Sequence, residues 1–245
     1  MQHTVTDCRD CTLRCKPLFV AMTDDELAFM QRFKTGETIV KAGADALSQG
    51  QKSPVLLTVL DGMAVRSVLL EDGRRQVISF VFPGDLIGLQ GGLMGESRHS
   101  VTAVTEMTLC SFPRSRVWEL FVNQPARAYD LTWIAAIEEH FLGETVATLG
   151  KRDAQERVAW ALVRIWRRLV ALGMETRGSV PFPFRQHDLA DALGLSIVHT
   201  NRRIVALRQT GLAEITGRRL IMHDHPALSR IAQLEMKADD VRPIL

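Results

Sequence analysis

A chain of 245 residues is long enough for about two domains, and its 46% hydrophobic and 24% charged residues are those of an ordinary globular protein. The apolar runs are broken by charges or turn residues, which leaves no membrane span, and Asp7, Cys8, Arg9 and Asp10 stand where a signal peptide needs an apolar core, so a cytoplasmic protein with no membrane partner is expected. The formal net charge of +2 hides a split: residues 151–245 hold 16 Lys+Arg against 10 Asp+Glu, and residues 1–150 hold 14 against 18, as suits one half that meets a polyanion.

Taken in order, the chain opens with three of its four cysteines, Cys8, Cys11 and Cys15, spaced C-x2-C-x3-C. In a reducing compartment such a cluster points to a metal or redox site rather than a disulfide framework. Asp24 to Phe33 reads as a short helix capped by Thr23, with Leu27, Met30 and Phe33 facing inward. Between Gly36 and Phe112 the texture turns to strands, among them Val55–Leu60, Ala64–Leu70, Gln76–Phe82 and Val101–Val104. Asp61-Gly62, Asp72-Gly73 and Pro83-Gly84 punctuate them as turns, which implies an antiparallel barrel or jelly roll. The glycines at 84, 88, 91, 92 and 95 lack the G-x-G-x-x-G spacing after a strand, so no dinucleotide site is expected.

From Ser115 the periodicity is helical, broken at Pro125 and resumed to about Leu149, with Gly150 as its stop. On that helix Ile134, Ile137, Phe141, Glu144 and Thr148 alternate steps of three and four, the seam by which two copies of a helix pair. Leu131, Ala135, Leu142, Val146 and Leu149 make a second apolar face. One face can pack on the barrel, and the first is assigned to a homodimer. A further helix, Ala154 to Leu172, carries Val158, Leu162, Ile165, Trp166 and Leu169 as its core stripe.

The stretch from Arg185 to Leu212 is a helix pair. Leu189, Ala190 and Leu193 share one face, Gly194 supplies a tight turn, and Ser196 caps a second helix whose Ile197, Thr200, Ile204 and Leu207 face inward. Val198, His199, Asn201, Arg202 and Arg203 are left on the outer face, the arrangement by which a helix-turn-helix offers side chains to base edges in the major groove. Ala213 to Ile215 and Leu220 to Met222 flank Thr216-Gly217-Arg218-Arg219 as a basic hairpin able to touch phosphates. Pro226 to Met236 reads as a last short helix, followed by a tail assigned no structure. No Ser/His/acid arrangement, phosphate loop or diagnostic pair of carboxylates can be picked out, so an enzyme is not expected.

Barrel, long helix and winged helix-turn-helix, in that order, resemble the CRP/FNR family of dimeric transcription regulators over nearly the whole chain. FPGDLIG at 82–88, MTLCSFP at 107–113 and GKRDAQERVA at 150–159 resemble runs of the FNR branch in particular. The resemblance implies an α+β architecture: a cysteine-rich segment at 1–18, an antiparallel β-roll (jelly roll) at 19–114, a dimerisation helix region at 115–150 and a C-terminal winged helix-turn-helix at 151–245. It also places Cys110 where that branch keeps its internal cluster-ligating cysteine. Cys8, Cys11, Cys15 and Cys110 are then the four thiolates that a [4Fe-4S] cluster needs, with oxygen or redox state as the signal. Zinc uses the same ligands, and spacing alone does not separate the two. One departure stands out: the FNR branch commonly has five residues between its second and third ligands, where this chain has only Thr12, Leu13 and Arg14.

The cAMP-binding branch captures its phosphate with a Gly-Glu and an Arg-Ser pair. Here Gly84-Asp85 and His99-Ser100 hold the similar places with Arg98 one step away, a poor match for bidentate capture. For palindromic double-stranded DNA, Arg202 matches the family's guanine-reading arginine, while Val198 and Asn201 stand where the FNR branch has Glu and Ser, with His199 between them. Arg185, Gln186, Arg203, Arg218 and Arg219 are the expected backbone contacts. Glu144 corresponds to an acidic residue of the FNR dimer helix, where two facing carboxylates repel unless offset. RNA polymerase is implied as a partner.

Overall fold

The computed structural model describes residues 6–235 and 241–245. They form two compact units, the first from residues up to 69, 80–140 and 241–245, the second from 70–79 and 141–235. Among the described residues no helix is long and apolar enough to cross a membrane.

The first unit is a roll of two antiparallel sheets with helices against one side. Helix α1 (Asp24–Phe33) starts in a reciprocal capping box between Thr23 and Glu26, as its sequence predicts. The strands are β1 (Gly36–Val40), β2 (Asp45–Leu47), β3 (Val55–Asp61), β4 (Ala64–Leu69), β5 (Arg75–Val81, whose residues 75–79 count with the second unit), β6 (Leu86–Ile87), β7 (Ser100–Ala103) and β8 (Met107–Pro113), with a short helix α2 (Leu89–Met94) between β6 and β7. One sheet has the order β1-β8-β3-β6 and the other β2-β7-β4-β5. The strands bounded from the sequence, β3, β4, β5 and β7, are found to within a residue or so, whereas β1, β2, β6 and the seven-residue β8 are not delimited by it.

The strand period of two decides where the fourth cysteine points. Along β8, Met107 and Leu109 enter the core between the sheets with Val59 and Ile87, so Cys110 and Phe112 face the opposite side. There they meet Cys8, Phe29, Met30, Phe33 and Ile134 in a second apolar layer. Phe33 stacks on both Phe29 (5.7 Å between ring centroids) and Phe112 (5.6 Å). The pairing register sets Cys110 opposite Glu37 on β1 and Thr58 on β3.

Helix α3 (Val117–Asn123) and the 27-residue α4 (Pro125–Lys151) follow. Pro125 starts α4, since a missing N–H costs nothing in a first turn. Gly150 does not stop it. The glycine keeps an ordinary negative φ, and the break comes where Asp153 caps the next helix, α5 (Ala154–Ala171), accepting from the amides of Gln155 (2.7 Å) and Glu156 (2.9 Å). Arg152 secures the corner. It donates to Thr148 Oγ1 (2.6 Å) and to the carbonyls of Ala232 (3.1 Å) and Gln233 (3.4 Å).

The second unit continues through β9 (Ser179–Pro181), α6 (Gln186–Leu193), α7 (Ile197–Gln209), β10 (Ala213–Thr216), β11 (Arg219–Met222) and α8 (His225–Ile231). Gly194 ends α6 with φ 61°, a left-handed geometry in which a side chain is strained. The three-stranded sheet runs β10-β11-β9. Its hairpin turns on Gly217 and Arg218, both at positive φ (55° and 59°), the mirror-image turn that matches strand twist. The last helix is shorter than the sequence suggests, and Met236 lies outside the described residues.

Candidate metal centre and nucleic-acid interface

Cys8 sits in a turn opened by Asp7, whose Oδ1 accepts from the Arg9 amide (2.8 Å). Cys8, Cys11 and Cys110 are buried and line one narrow cavity together with Arg14 and Lys34. Two segments far apart in sequence thus deliver three thiols to one place. Burial pushes the Cys8 thiol up, against the pull of Arg14 and Lys34, and pushes Cys110 up to about 12, against Lys34. Binding a metal at these sulfurs therefore has to displace protons.

Cys15 departs from the expectation. It is exposed and outside the cavity lining, its Sγ 3.9 Å from the Cys11 carbonyl. No three of the described His, Cys, Asp or Glu side chains stand close enough together to hold a metal ion as placed. The donor chemistry suits a thiolate-held group. Ligation by all four sulfurs requires Cys15 to turn inward on the short Cys11–Cys15 link.

Sequence reading missed the charges around the thiols. Lys34 pairs with Glu37 at 2.7 Å, with side chains 3% and 8% exposed, and its Nζ donates to the Thr6 carbonyl (2.6 Å). Glu37 in turn accepts from the Thr6 amide (2.9 Å). The pair fastens the cysteine segment to α1 and β1. Nothing in a local pattern connects residue 6 to residue 37; the Thr6 bonds to Glu37 and Lys34 are tertiary.

Within the roll, the groups at the cyclic-phosphate positions are engaged internally or point away. Asp85 accepts from the Phe82 amide (2.9 Å), and Arg98 is paired with Glu96 (3.0 Å) at the surface. His99 is buried, and burial together with the charge of Arg66 lowers its pKa to about 4. Between pH 4 and 6.5 the unfolded chain binds the proton and the folded one does not. Stability therefore rises with pH across that window and is lost on acidification, by about 2–3 kcal/mol after allowance for partial solvation. Substituting His99→Leu is expected to flatten that part of a stability–pH curve measured by urea unfolding.

Neither face of α4 is wholly buried or wholly open. Ile134 is buried in the first unit's apolar layer. Phe141 stacks on Trp160 (6.0 Å), Arg164 lies over it (4.8 Å), and Arg164 also binds Glu144. Thr148 is fully buried and bonded to Arg152. Ile134 and Thr148 are thus buried within their own chain, whereas Ile137, Phe141 and Glu144 are half-buried, so the seam read from spacing is only partly open. Glu144 has its offset in Arg164 rather than in a second copy. Of the second apolar face, Leu131 is buried and Leu149 half-buried, while Ala135, Leu142 (44% exposed) and Val146 (70%) are open, with Glu139 exposed beside them.

In the second unit α7 begins at Ser196, whose Oγ accepts from the His199 amide (3.2 Å). Thr200, Ile204 and Leu207 are buried as expected, but Ile197, in the first turn, is 52% exposed. Val198, Asn201 and Arg202 are exposed, while His199 and Arg203 are half-buried. Gln186 Nε2 donates to Asn201 Oδ1 (3.1 Å), so two expected DNA contacts also hold each other. Arg185 and Arg218 are exposed, the latter at the hairpin tip. Arg219 is not free to reach a phosphate as placed: its Nε and Nη2 donate to Ser179 Oγ (2.7 Å) and O (2.8 Å), stitching β11 to β9.

Residues 156–231 match the Crp-like helix-turn-helix domain, and residues 30–124 match the cyclic nucleotide-binding domain. The chain is 29% identical to the transcriptional activator protein FnrL of Cereibacter sphaeroides, over 95% of this chain and 92% of that one. It is 33% identical to the nitrogen fixation regulation protein FixK of Rhizobium meliloti, over 74% and 79%. Among solved structures, FixK2 from Bradyrhizobium japonicum matches with a TM-score of 0.72 at 25% identity, covering 84% of this chain and 99% of that one. These relatives are transcription regulators rather than enzymes.

Proposed function

Because the chain belongs to the CRP/FNR family of DNA-binding transcription regulators, whose members are dimers, we propose that it is an iron–sulfur-controlled activator of that family, binding a palindromic operator and contacting RNA polymerase. The observation that carries the cluster reading is the convergence of Cys8, Cys11 and Cys110 on one cavity beside Lys34 and Arg14. Cys8, Cys11, Cys15 and Cys110 would hold a [4Fe-4S] cluster, which when bound supplies an anchor that oxidants can destroy. Lys34 and Arg14 offset the negative charge of the thiolates. Thr6, held by Lys34 and Glu37, keeps the cysteine segment on the roll. Pairing of two chains is assigned to the open stripe Ala135, Glu139, Leu142 and Val146 on α4, in place of the seam expected from spacing.

The test is anaerobic purification followed by metal analysis, visible absorption and sedimentation, before and after aeration. About four irons and four sulfides per chain, with a brown colour and a dimer that both fade in air, are expected. About one zinc, or a dimer indifferent to air, overturns the oxygen reading. A cluster-free member of the family is the second reading, favoured by the exposure of Cys15.

On α7, Arg202 reads guanine, Asn201 is placed for adenine and Val198 for a thymine methyl. Arg202→Ala is expected to weaken operator binding by about 1–3 kcal/mol and relax one base position in a binding-site selection. Equal losses on random DNA would reduce Arg202 to a phosphate contact.

A further inference from the structure

Residues 241–245 lie in the first unit, against the cysteine segment. The Arg242 amide donates to the Leu18 carbonyl (2.7 Å), and its carbonyl accepts from the Val20 amide (2.9 Å), a one-residue parallel bridge to Phe19. Phe19 in turn sits so close to Gly84 that a Cβ there would stand 2.2 Å from its ring. The Arg242 guanidinium faces Asp85 (3.6 Å) and lies 6.0 Å from the centre of the Trp133 ring. Ile244 and Leu245 are 1% and 3% exposed, and Thr58 Oγ1 donates to the Leu245 carbonyl (3.2 Å). Leu245 packs in the same apolar layer as Cys8 and Cys110, and both residues wall the thiol cavity.

We propose that residues 241–245 are a strap that closes the thiol cavity, so that iron donors and oxidants reach Cys8, Cys11 and Cys110 only when the strap is unseated. Its regulatory meaning rests on the metal-centre reading above. The fastening is short: one bridged residue, one ion pair and two buried aliphatic side chains. Its main-chain partner, Leu18 to Val20, begins three positions after Cys15. Turning Cys15 toward the cavity pulls on the strand that seats the strap, which couples ligation to closure.

The test uses the full, reduced, metal-free chain. Alkylation of each cysteine by N-ethylmaleimide is followed by mass spectrometry in the parent, in a deletion of residues 241–245 and in Arg242→Glu, with hydrogen exchange at the Val20 amide as the reporter of seating. Both variants are expected to expose the Val20 amide and to speed modification of Cys8 and Cys110 by about tenfold, the signature of a lost local closure, while Cys15, already exposed, keeps its rate. Unchanged Cys8 and Cys110 rates alongside faster Val20 exchange overturn the proposal. Should the deletion unfold the chain, Arg242→Glu, checked for native circular dichroism, decides. The readout needs no iron, so a chain that gates its thiols yet never binds iron retires the cluster reading and keeps the strap.

Discussion

Lys34→Met is expected to lower the stability of the first unit by about 3–5 kcal/mol, the range for removing one partner of a buried ion pair. Methionine fills a similar volume, so the loss is electrostatic. It leaves the Glu37 carboxylate, 8% exposed, with the Thr6 amide as a remaining partner. The double substitution Lys34→Met with Glu37→Met should recover most of the loss, since no charge is then stranded. In the parent, burial opposes the ionised form of Glu37, but the Lys34 bond and the Thr6 amide outweigh it and hold its carboxyl below the usual range. The pair's contribution is therefore intact at neutral pH and is lost as the pH falls through that lowered value. Urea unfolding at pH 7 and near pH 3 checks both points, and a gap between parent and Lys34→Met that does not narrow in acid would refute the assignment.

Asp188→Ala is expected to cost about 3 kcal/mol in the second unit. Its carboxylate, 4% exposed, accepts from Arg75 Nη2 (2.8 Å) and from the Arg185 amide (2.9 Å) at the start of α6. A charge-assisted bond contributes about 1.5–3 kcal/mol and a helix-start bond about 1. Arg75 keeps Asp191 (2.7 Å) as a partner, which limits the damage. Because α6 supports α7, operator and random DNA should lose affinity together, in contrast to Arg202→Ala. Asp188→Asn, which keeps an acceptor for the Arg185 amide, should lose about half as much. Hydrogen exchange localised to α6 and α7 checks the origin, and faster exchange spread over both units would refute a local role.

Much of the architecture was legible because periods and breakers agree. Thr23 with Glu26, Gly194 between α6 and α7, and the Gly217-Arg218 turn each require the residue types found there. The outer face of α7 followed from spacing except at Ile197, since Thr200, Ile204 and Leu207 are buried and leave the opposite side outward. Spacing failed on α4, where two stripes are nearly equivalent. What engages Phe141 and Glu144 is the placement of Trp160 and Arg164, a tertiary fact with no signature near residue 141. Arg219 looked like a phosphate contact because a basic hairpin tip is usually solvated, whereas its partner, Ser179, lies on the neighbouring strand. Lys34, Glu37 and the docked residues 241–245 were invisible for the same reason: their partners are distant in sequence.

The cavity's walls have an implication for the order of assembly. Cys110 reaches the side of Cys8 and Cys11 only once β8 has paired between β1 and β3, and the last walls, Ile244 and Leu245, come from a segment far from all of these in sequence. Were these sulfurs to hold a metal, its entry would follow closure of the roll and precede the seating of residues 241–245.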